Sequence, residues 1–311
     1  MAQHITQLSA VQLTQLSVVT IGIFDGVHRG HQHLIRQVVE SAHREGHLAA
    51  VVTFFPHPDV LLRGITGRYY LTTPEQRADL LAELGVDVIV TQHFDETIRH
   101  MRAAAFVDLL IAHLRMKSLW LTPDFALGYQ REGDFAFLSA QGREKGFSVH
   151  SVDLLMDAQH RAIRSSAIRQ ALTEGDVAAV ADLLARPYRV LGEVVHGDHR
   201  GRSIGFPTAN LAVWTEQLLP AKGVYACYAY LGAERFAALT NIGSRPTFNG
   251  TETRVEAHLL DFDRDIYGQT LKLDFIARLR GEQRFSSVEA LIAQISADVA
   301  QGRQLLAASA S

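Results

Sequence analysis

Val18–His31 reads VVTIGIFDGVHRGH, and its first seven residues form an apolar, β-branched run of the kind a buried strand favours. A helical pattern follows from about Gly30 to Arg44, with Gly46 placed to end it. Leu48–Phe55, LAAVVTFF, is a second buried strand. Two such strands around one helix predict a βαβ unit, hence parallel pairing and a right-handed crossover. The alternation continues outward. Thr73-Pro74-Glu75 opens a helix with a cap residue and Pro at the first helical position, and Gly85 closes it. Strands are expected at Val86–Val90, Ser118–Thr122 and Phe147–Val152, and helices at Ala103–Arg115 and Asp134–Lys145. The pattern is that of a doubly wound α/β domain, in which ligands bind beyond the carboxyl ends of the strands.

Two more helices, about Ser166–Glu174 and Val177–Ala185, lead to Arg186-Pro187, where the texture changes. Strand-like segments follow at Tyr188–Val195, Val224–Leu231, Arg235–Ile242, Arg254–Asp261 and Leu271–Arg280, separated by Gly, Asn and Pro turns. Short strands at this spacing predict a small barrel or sandwich. An amphipathic helix from about Ser287 to Leu306 ends the pattern. Two domains are therefore expected, residues 1–185 and 186–311.

Composition narrows the class. The chain has 311 residues, 47% hydrophobic and 20% charged, and no apolar run approaches the roughly 20 residues that span a bilayer. Its N-terminus lacks the basic and apolar regions of a secretory signal. The single cysteine, Cys227, rules out an intramolecular disulfide and a cysteine-rich zinc site, so a cytoplasmic location is expected. A formal net charge of −3 gives no reason to expect a nucleic-acid partner. Only Lys117, Lys145, Lys222 and Lys272 among 30 basic residues are lysine, so a lone arginine is weak evidence for a phosphate site.

The densest chemistry in the first half is Gly22–His31, GIFDGVHRGH. It leaves a strand and opens a helix, where free N–H groups and the helix dipole favour an anion. Gly22, Gly26 and Gly30 allow close backbone approach. His28 and His31, three apart at a helix start, can face one ligand. The loop lacks the Lys-Ser/Thr of a P-loop and the spacing of the dinucleotide fingerprint. A lone HxxH is more often an ordinary turn with solvated histidines. A metal site at His28, His31 and His33 stays open, but no carboxylate or fourth ligand is marked out.

HRGH after a first strand resembles the HxGH signature of nucleotidyltransferases. With TFFPHP at Thr53–Pro58, the longer block is similar to the FMN adenylyltransferase module of bacterial FAD synthetases. The resemblance implies that His28 and His31 hold ATP phosphates and stabilise departing pyrophosphate, while the FMN phosphate attacks the α-phosphorus. It also implies nucleotide contacts for Gly22, Phe24, Asp25 and Gly26, and flavin contacts for Pro56, His57 and Pro58. Asp124-Phe125 with Gly128, then Arg131–Asp134, resembles the family's DFxFG…EGD segment, so Asp124 is expected at the ATP end. Ile163–Arg169, IRSSAIR, resembles its ISSTxIR motif, which implies triphosphate contacts for Ser165, Ser166 and Arg169. The chain departs from the pattern at Thr122 (usually Gly), Ala126 (Arg), Leu127 (Phe), Arg164 (Ser) and Ser166 (Thr). A weaker adenylyltransferase is expected, with Arg164 supplying a substitute charge.

In the second half, Gly197–Asn210 reads GDHRGRSIGFPTAN. A flexible turn is the usual meaning of such a loop. Pro207 stiffens the backbone before Thr208 and Asn210, two oxygen-bearing side chains that share a face of an extended segment and suit magnesium. The segment resembles the riboflavin kinase family, and the likeness continues through Gly223-Val224-Tyr225, NIGSRPTF (241–248), VEAHLLDFD (255–263), Arg280 and Phe285. It implies a six-stranded antiparallel barrel, Glu256 as the base for the riboflavin hydroxyl, and Thr208 and Asn210 on magnesium and ATP phosphates. Gly197, Gly201 and Gly205 would form a loop over the nucleotide, with Arg280 and Phe285 at the flavin. By its place in a strand alone, Glu256 would be an outward, solvated carboxylate. The expected fold is thus a Rossmann-like, HxGH-type α/β nucleotidyltransferase domain followed by the barrel and a C-terminal helix. The expected substrates and products are ATP, riboflavin, FMN and FAD. Two alternatives remain: a riboflavin kinase with a degenerate first domain, and a non-catalytic flavin- or nucleotide-binding regulator.

Overall fold

The computed structural model describes residues 2–157, 159–197, 204–247 and 250–309. Gly201, expected in the nucleotide loop, and Phe248 lie outside the described residues. Two compact units form: residues 1–66 with 70–165, and residues 67–69 with 166–311.

The first unit is a six-stranded, wholly parallel sheet. Its strands are β1 (Gln3–Ile5), β2 (Ser17–Ile21), β3 (Leu48–Phe55), β4 (Val88–His93), β5 (Met116–Leu121) and β6 (Ser148–Ser151). Their spatial order is β1-β4-β3-β2-β5-β6. Residues Ser17–Ile21 are all buried, as a strand covered on both faces requires. Val18, Val51 and Ile89 meet Leu34, Ile35 and Val38 of α1 (Arg29–Arg44) and Leu81 of α3 (Pro74–Glu83) on one face. Val19, Val52 and Val90 meet Phe106, Leu110 and Leu114 of α5 (Ala103–Leu114) on the other. Thr73 caps α3 as expected, and Gln76 completes a capping box that the sequence reading did not include. Two short helices, α2 (Pro58–Arg63) and α4 (Glu96–His100), and the three-residue β1 are additions to the expected pattern. The helix α6 spans Phe135–Lys145.

The order reverses at β2. The chain builds β3 and β4 on one side, then returns to place β5 and β6 on the other. The carboxyl end of β2 is therefore the topological switch point, where doubly wound sheets hold ligands.

The second unit is a closed antiparallel barrel of order β10-β11-β8-β7-β12-β9. Its strands are β7 (Tyr188–Val195), β8 (Ala209–Val213), β9 (Gly223–Leu231), β10 (Glu234–Thr247), β11 (Gly250–Leu259) and β12 (Thr270–Arg280). Five strands are legible in the sequence pattern; the sixth, β8, is the short run just after Pro207. Helices α7 (Ser165–Glu174, from Ser166 onward) and α8 (Val177–Leu184) belong to this unit, as does α9 (Val288–Ser309). Gly302 of α9 lies against β10, where a Cβ would come 2.6 Å from Leu239. Cys227 is buried in the barrel, and that burial pushes its thiol up, away from reactive thiolate.

Candidate active sites

In the first unit the loop after β2 turns through a backbone that few side chains tolerate. Phe24, Gly26 and Val27 have φ of 52°, 78° and 40°. For a β-branched residue such as Val27 that is a strained state, sustained only when its surroundings over-determine it. Here they do. Phe24 and Val27 are each 1% exposed, and a Cβ on Gly22 would meet the Phe24 ring at 2.8 Å. The Asp25 carboxylate accepts from the Leu71 N–H (3.0 Å), the Thr72 N–H (3.1 Å) and the Thr72 hydroxyl (3.2 Å). The Gly26 N–H donates to Thr72 Oγ1 at 3.2 Å. The side chains of Phe24 and Asp25, two of the residues expected at the nucleotide, turn inward and anchor the loop.

His28 caps α1: its Nδ1 accepts from the His31 N–H at 3.3 Å. The two imidazoles stack, with centroids 3.5 Å apart and planes 19° from parallel. His31 Nδ1 is shut off from solvent and has no hydrogen-bond partner among the described residues. A protonated ring there would bury charge, so burial, then His28 and Arg77, hold His31 well below the ordinary imidazole range. Arg77, from α3, is wholly buried beneath this loop. Its one signal in the sequence is a charge four residues before Leu81, on a helix face that is otherwise core.

Ser165 Oγ donates to the Asp25 carbonyl at 3.1 Å, so this residue braces the same loop. Asp124 follows β5, next to β2 in the sheet. Its carboxylate accepts from the Thr122 hydroxyl at 2.9 Å and lies 3.1 Å from the Arg164 guanidinium. Two of the family departures therefore hold a residue that the family pattern retains. The remainder of that motif is scaffold. A Cβ on Gly128 would strike Ala103 at 2.6 Å, Glu132 accepts from the Ala103 N–H at 2.7 Å, and Asp134 caps α6. Pro56–Pro58 follow β3, and His57 caps α2 through its Nδ1 while its N–H donates to the Tyr70 hydroxyl at 3.0 Å.

In the second unit, Ser166 is exposed, and Arg169 donates from Nε to the Tyr69 carbonyl at 2.9 Å with its guanidinium 4.0 Å over the Tyr69 ring. On β11, Val255 and Ala257 are buried, so Glu256 points out of the barrel. It is half-buried all the same. Its ladder partners are Asn210 on β8 and Asn241 on β10. A cavity of about 370 Å³ covers this face, lined by Thr208, Asn241, Glu256, His258, Arg280 and Phe285, with Leu291, Ile295 and Asp298 from α9. Four expected residues, Thr208, Glu256, Arg280 and Phe285, are thereby brought to one pocket. A second cavity of about 290 Å³, lined in part by Pro207, Thr208, Asp263, Asp265 and Tyr267, shares Thr208 with the first. A Cβ on Gly197 would press on the Asn210 side-chain amide, so any larger residue there must displace that side chain. Gly205 takes a φ of 88° ahead of Thr208. Arg280 is held by Asp298, with Nε and Nη2 at 2.9 and 2.8 Å from the carboxylate.

A strained loop at the switch point of a parallel sheet and a carboxylate walled into a barrel pocket are the two candidate active sites, one in each unit. Residues 11–167 match the FAD synthetase family model and residues 184–306 the riboflavin kinase model. The bifunctional riboflavin kinase/FMN adenylyltransferase of Escherichia coli (strain K12) is 40% identical over 289 residues, covering 92% of each chain. That of Haemophilus influenzae is 38% identical, covering 94% of each. A crystal structure described as a macrolide-efflux protein from Streptococcus pneumoniae superposes with a TM-score of 0.86 at 30% identity, covering 97% of this chain and 98% of that one. The chain belongs to the bifunctional riboflavin kinase/FMN adenylyltransferase family. Among its described residues no helix is long and apolar enough to cross a membrane.

Proposed function

We infer that this chain phosphorylates riboflavin to FMN in its barrel and adenylylates FMN to FAD at the loop opening α1, with ATP as donor in both steps. The observation that carries the kinase assignment is the enclosure of Glu256 in a flavin-sized pocket that meets a second cavity at one hydroxyl, Thr208. The first pocket takes riboflavin, with Phe285 and Arg280 against the flavin. The second takes ATP. The riboflavin hydroxyl gives its proton to the Glu256 carboxylate as its oxygen bonds to the γ-phosphorus, and ADP leaves.

Thr208 and Asn210 offer oxygen donors, and no group of three His, Cys, Asp or Glu able to hold a metal exists among the described residues. That donor set fits magnesium, which takes few protein ligands and relies on substrate phosphates. When bound, the ion would neutralise phosphate charge beside Thr208 and Asn210.

For the second step the FMN phosphate oxygen bonds to the α-phosphorus of ATP and pyrophosphate leaves. His28 and His31 donate to the charge that develops on it. Asp124 faces the ATP end, Ser165, Ser166 and Arg169 serve the triphosphate, and Pro56–Pro58 the flavin. The single cysteine, Cys227, supports a cytoplasmic location.

The test is direct. Purified protein with riboflavin, ATP and magnesium is expected to yield FMN and then FAD by chromatography. FMN without FAD, even from supplied FMN, would favour a kinase with an idle first unit; neither product would favour a binding protein.

A further inference from the structure

The ladder between β8 and β11 pairs Leu211 with Val255, Asn210 with Glu256 and Ala209 with Ala257, and there it stops. Thr208, one residue further out, lies beyond the ladder yet lines both cavities. The chain reaches it through Gly205, at a φ of 88°, and through Pro207, which fixes its own φ but has no N–H to give. Strand pairing therefore does not set Thr208. His258 does. It stands two residues after Glu256 on the same outward face of β11, and its Nδ1–H donates to the Pro207 carbonyl at 2.7 Å. The Phe206 ring meets the imidazole edge-on, with centroids 5.6 Å apart and planes at 80°. A carbonyl only accepts, so this bond puts the ring proton on Nδ1. Pro207 is exposed, and water would satisfy its carbonyl equally well. What the bond adds is position. The Pro207 carbonyl and the Thr208 nitrogen share one planar peptide, so holding the first orients the residue that follows.

We propose that His258 is a positioning residue for riboflavin phosphorylation: a side-chain rung beyond the end of the ladder, it ties the Pro207–Thr208 peptide to the strand that carries Glu256 and so sets the Thr208 hydroxyl where the two cavities meet. It rests on the reading of Thr208 as a group that meets the phosphates of ATP. The strand β11 then frames both sides of the transfer. Glu256 faces the hydroxyl that is phosphorylated, and His258, through Thr208, fixes the phosphates that donate.

The experiment uses the full chain with His258→Asn, His258→Leu and His258→Phe. The first keeps a donor near Nδ1, the second matches Asn in shape without the donor, and the third keeps a ring without it. The readouts are KM for ATP and for riboflavin in FMN formation, the calorimetric affinity for ADP with magnesium, and FAD formation from supplied FMN as an internal control. His258→Leu and His258→Phe are expected to raise KM for ATP and weaken ADP binding roughly three- to tenfold, the net loss of one hydrogen bond. In both, KM for riboflavin should move by under about twofold and FAD formation should hold. His258→Asn should stay close to the parent throughout. A parental His258→Phe overturns the proposal, since the ring would then only pack on Phe206. So does a His258→Asn as impaired as His258→Leu, since Nε2 would then be the atom that matters. Should the apolar variants fail to fold, nitrogen NMR of the His258 ring in the parent decides: a proton on Nδ1 supports the proposal, and one on Nε2 alone overturns it. Thr208→Val is the reference, and parental ADP affinity there would instead sink the reading of Thr208.

Discussion

Glu256 alternates with buried Val255 and Ala257, so its carboxylate has to leave the barrel, and it does. What the alternation could not reveal is that α9 and Phe285 wall in that outer face. Glu256→Gln keeps shape and loses the proton acceptor, so FMN formation should fall by roughly 10²–10⁴ while FAD formation from supplied FMN persists. A near-parental FMN rate would remove Glu256 as the base. His28 carries two duties, as cap of α1 and as half of the stacked pair. His28→Ala loses both; His28→Asn restores a cap, worth about 0.5–2 kcal/mol, without the imidazole. Both variants, and His31→Ala, should cut FAD formation by about 10²–10³ with FMN formation spared. If His28→Asn alone restored FAD formation, the ring would matter only as a cap. Arg164 is not an unattached substitute charge, since it meets Asp124 at 3.1 Å. Arg164→Ala should therefore raise the KM for ATP in FAD synthesis more than Arg161→Ala, a nearby exposed control. Equal effects would make the Arg164–Asp124 contact incidental.

Elements with a strong period or a cap were legible. The run Leu48–Phe55 and the caps at Thr73 and Asp176 fall where pattern and chemistry agree, whereas the strand expected at Val18–Phe24 ends at Ile21, because Gly22–Phe24 turn into the strained loop. β1, α2 and α4 have three, six and five residues, too few for any period to declare itself. β8 was hidden by Pro207 and by its own polar Asn210, yet it is the strand that sets Asn210 opposite Glu256. The site splits the same way. His28, His31, Thr208 and Glu256 stand in local motifs, whereas Arg77 and Asp298 gain meaning only from contacts 54 and 18 residues away. Asp298 shows how one helix closes a pocket. Its carboxylate is 4% exposed and holds Arg280, which is 15% exposed, while Gln294 donates to it at 2.8 Å. Asp298→Ala leaves a buried guanidinium unpaired, so the barrel unit should lose about 3–5 kcal/mol and the KM for riboflavin should rise. Chemical denaturation and kinase assays read the two effects separately; an unchanged midpoint would show that Arg280 finds water instead.

On the scale of the whole molecule, α7 and α8 lie ahead of Arg186 yet belong to the barrel unit. Ile168, Leu172, Val180 and Leu184 are at most 1% exposed, the Ala221 N–H donates to the Leu172 carbonyl at 2.8 Å, and Arg278 donates to the Glu174 carbonyl at 3.0 Å. Each large side chain so buried contributes about 1.5–3 kcal/mol. A fragment of residues 166–311 should fold and make FMN. One of residues 186–311 should melt many degrees lower or fail to stay soluble, because the surface that α8 covers on β7 and β12 is laid bare. Equal melting temperatures would return the boundary to Arg186. The open sheet carries a different consequence. Its outermost strands are its shortest, β1 with three residues and β6 with four, and β6 is Ser-Val-His-Ser with no buried position. A stray chain adds to a sheet by copying a long, flat, apolar margin, and neither margin here gives it one. The barrel, being closed, has no margin at all. Crowded solutions of the folded protein should therefore stay clear of fibres and strand-joined clumps, and precipitation on heating should wait until β2, β3 or β4 is uncovered.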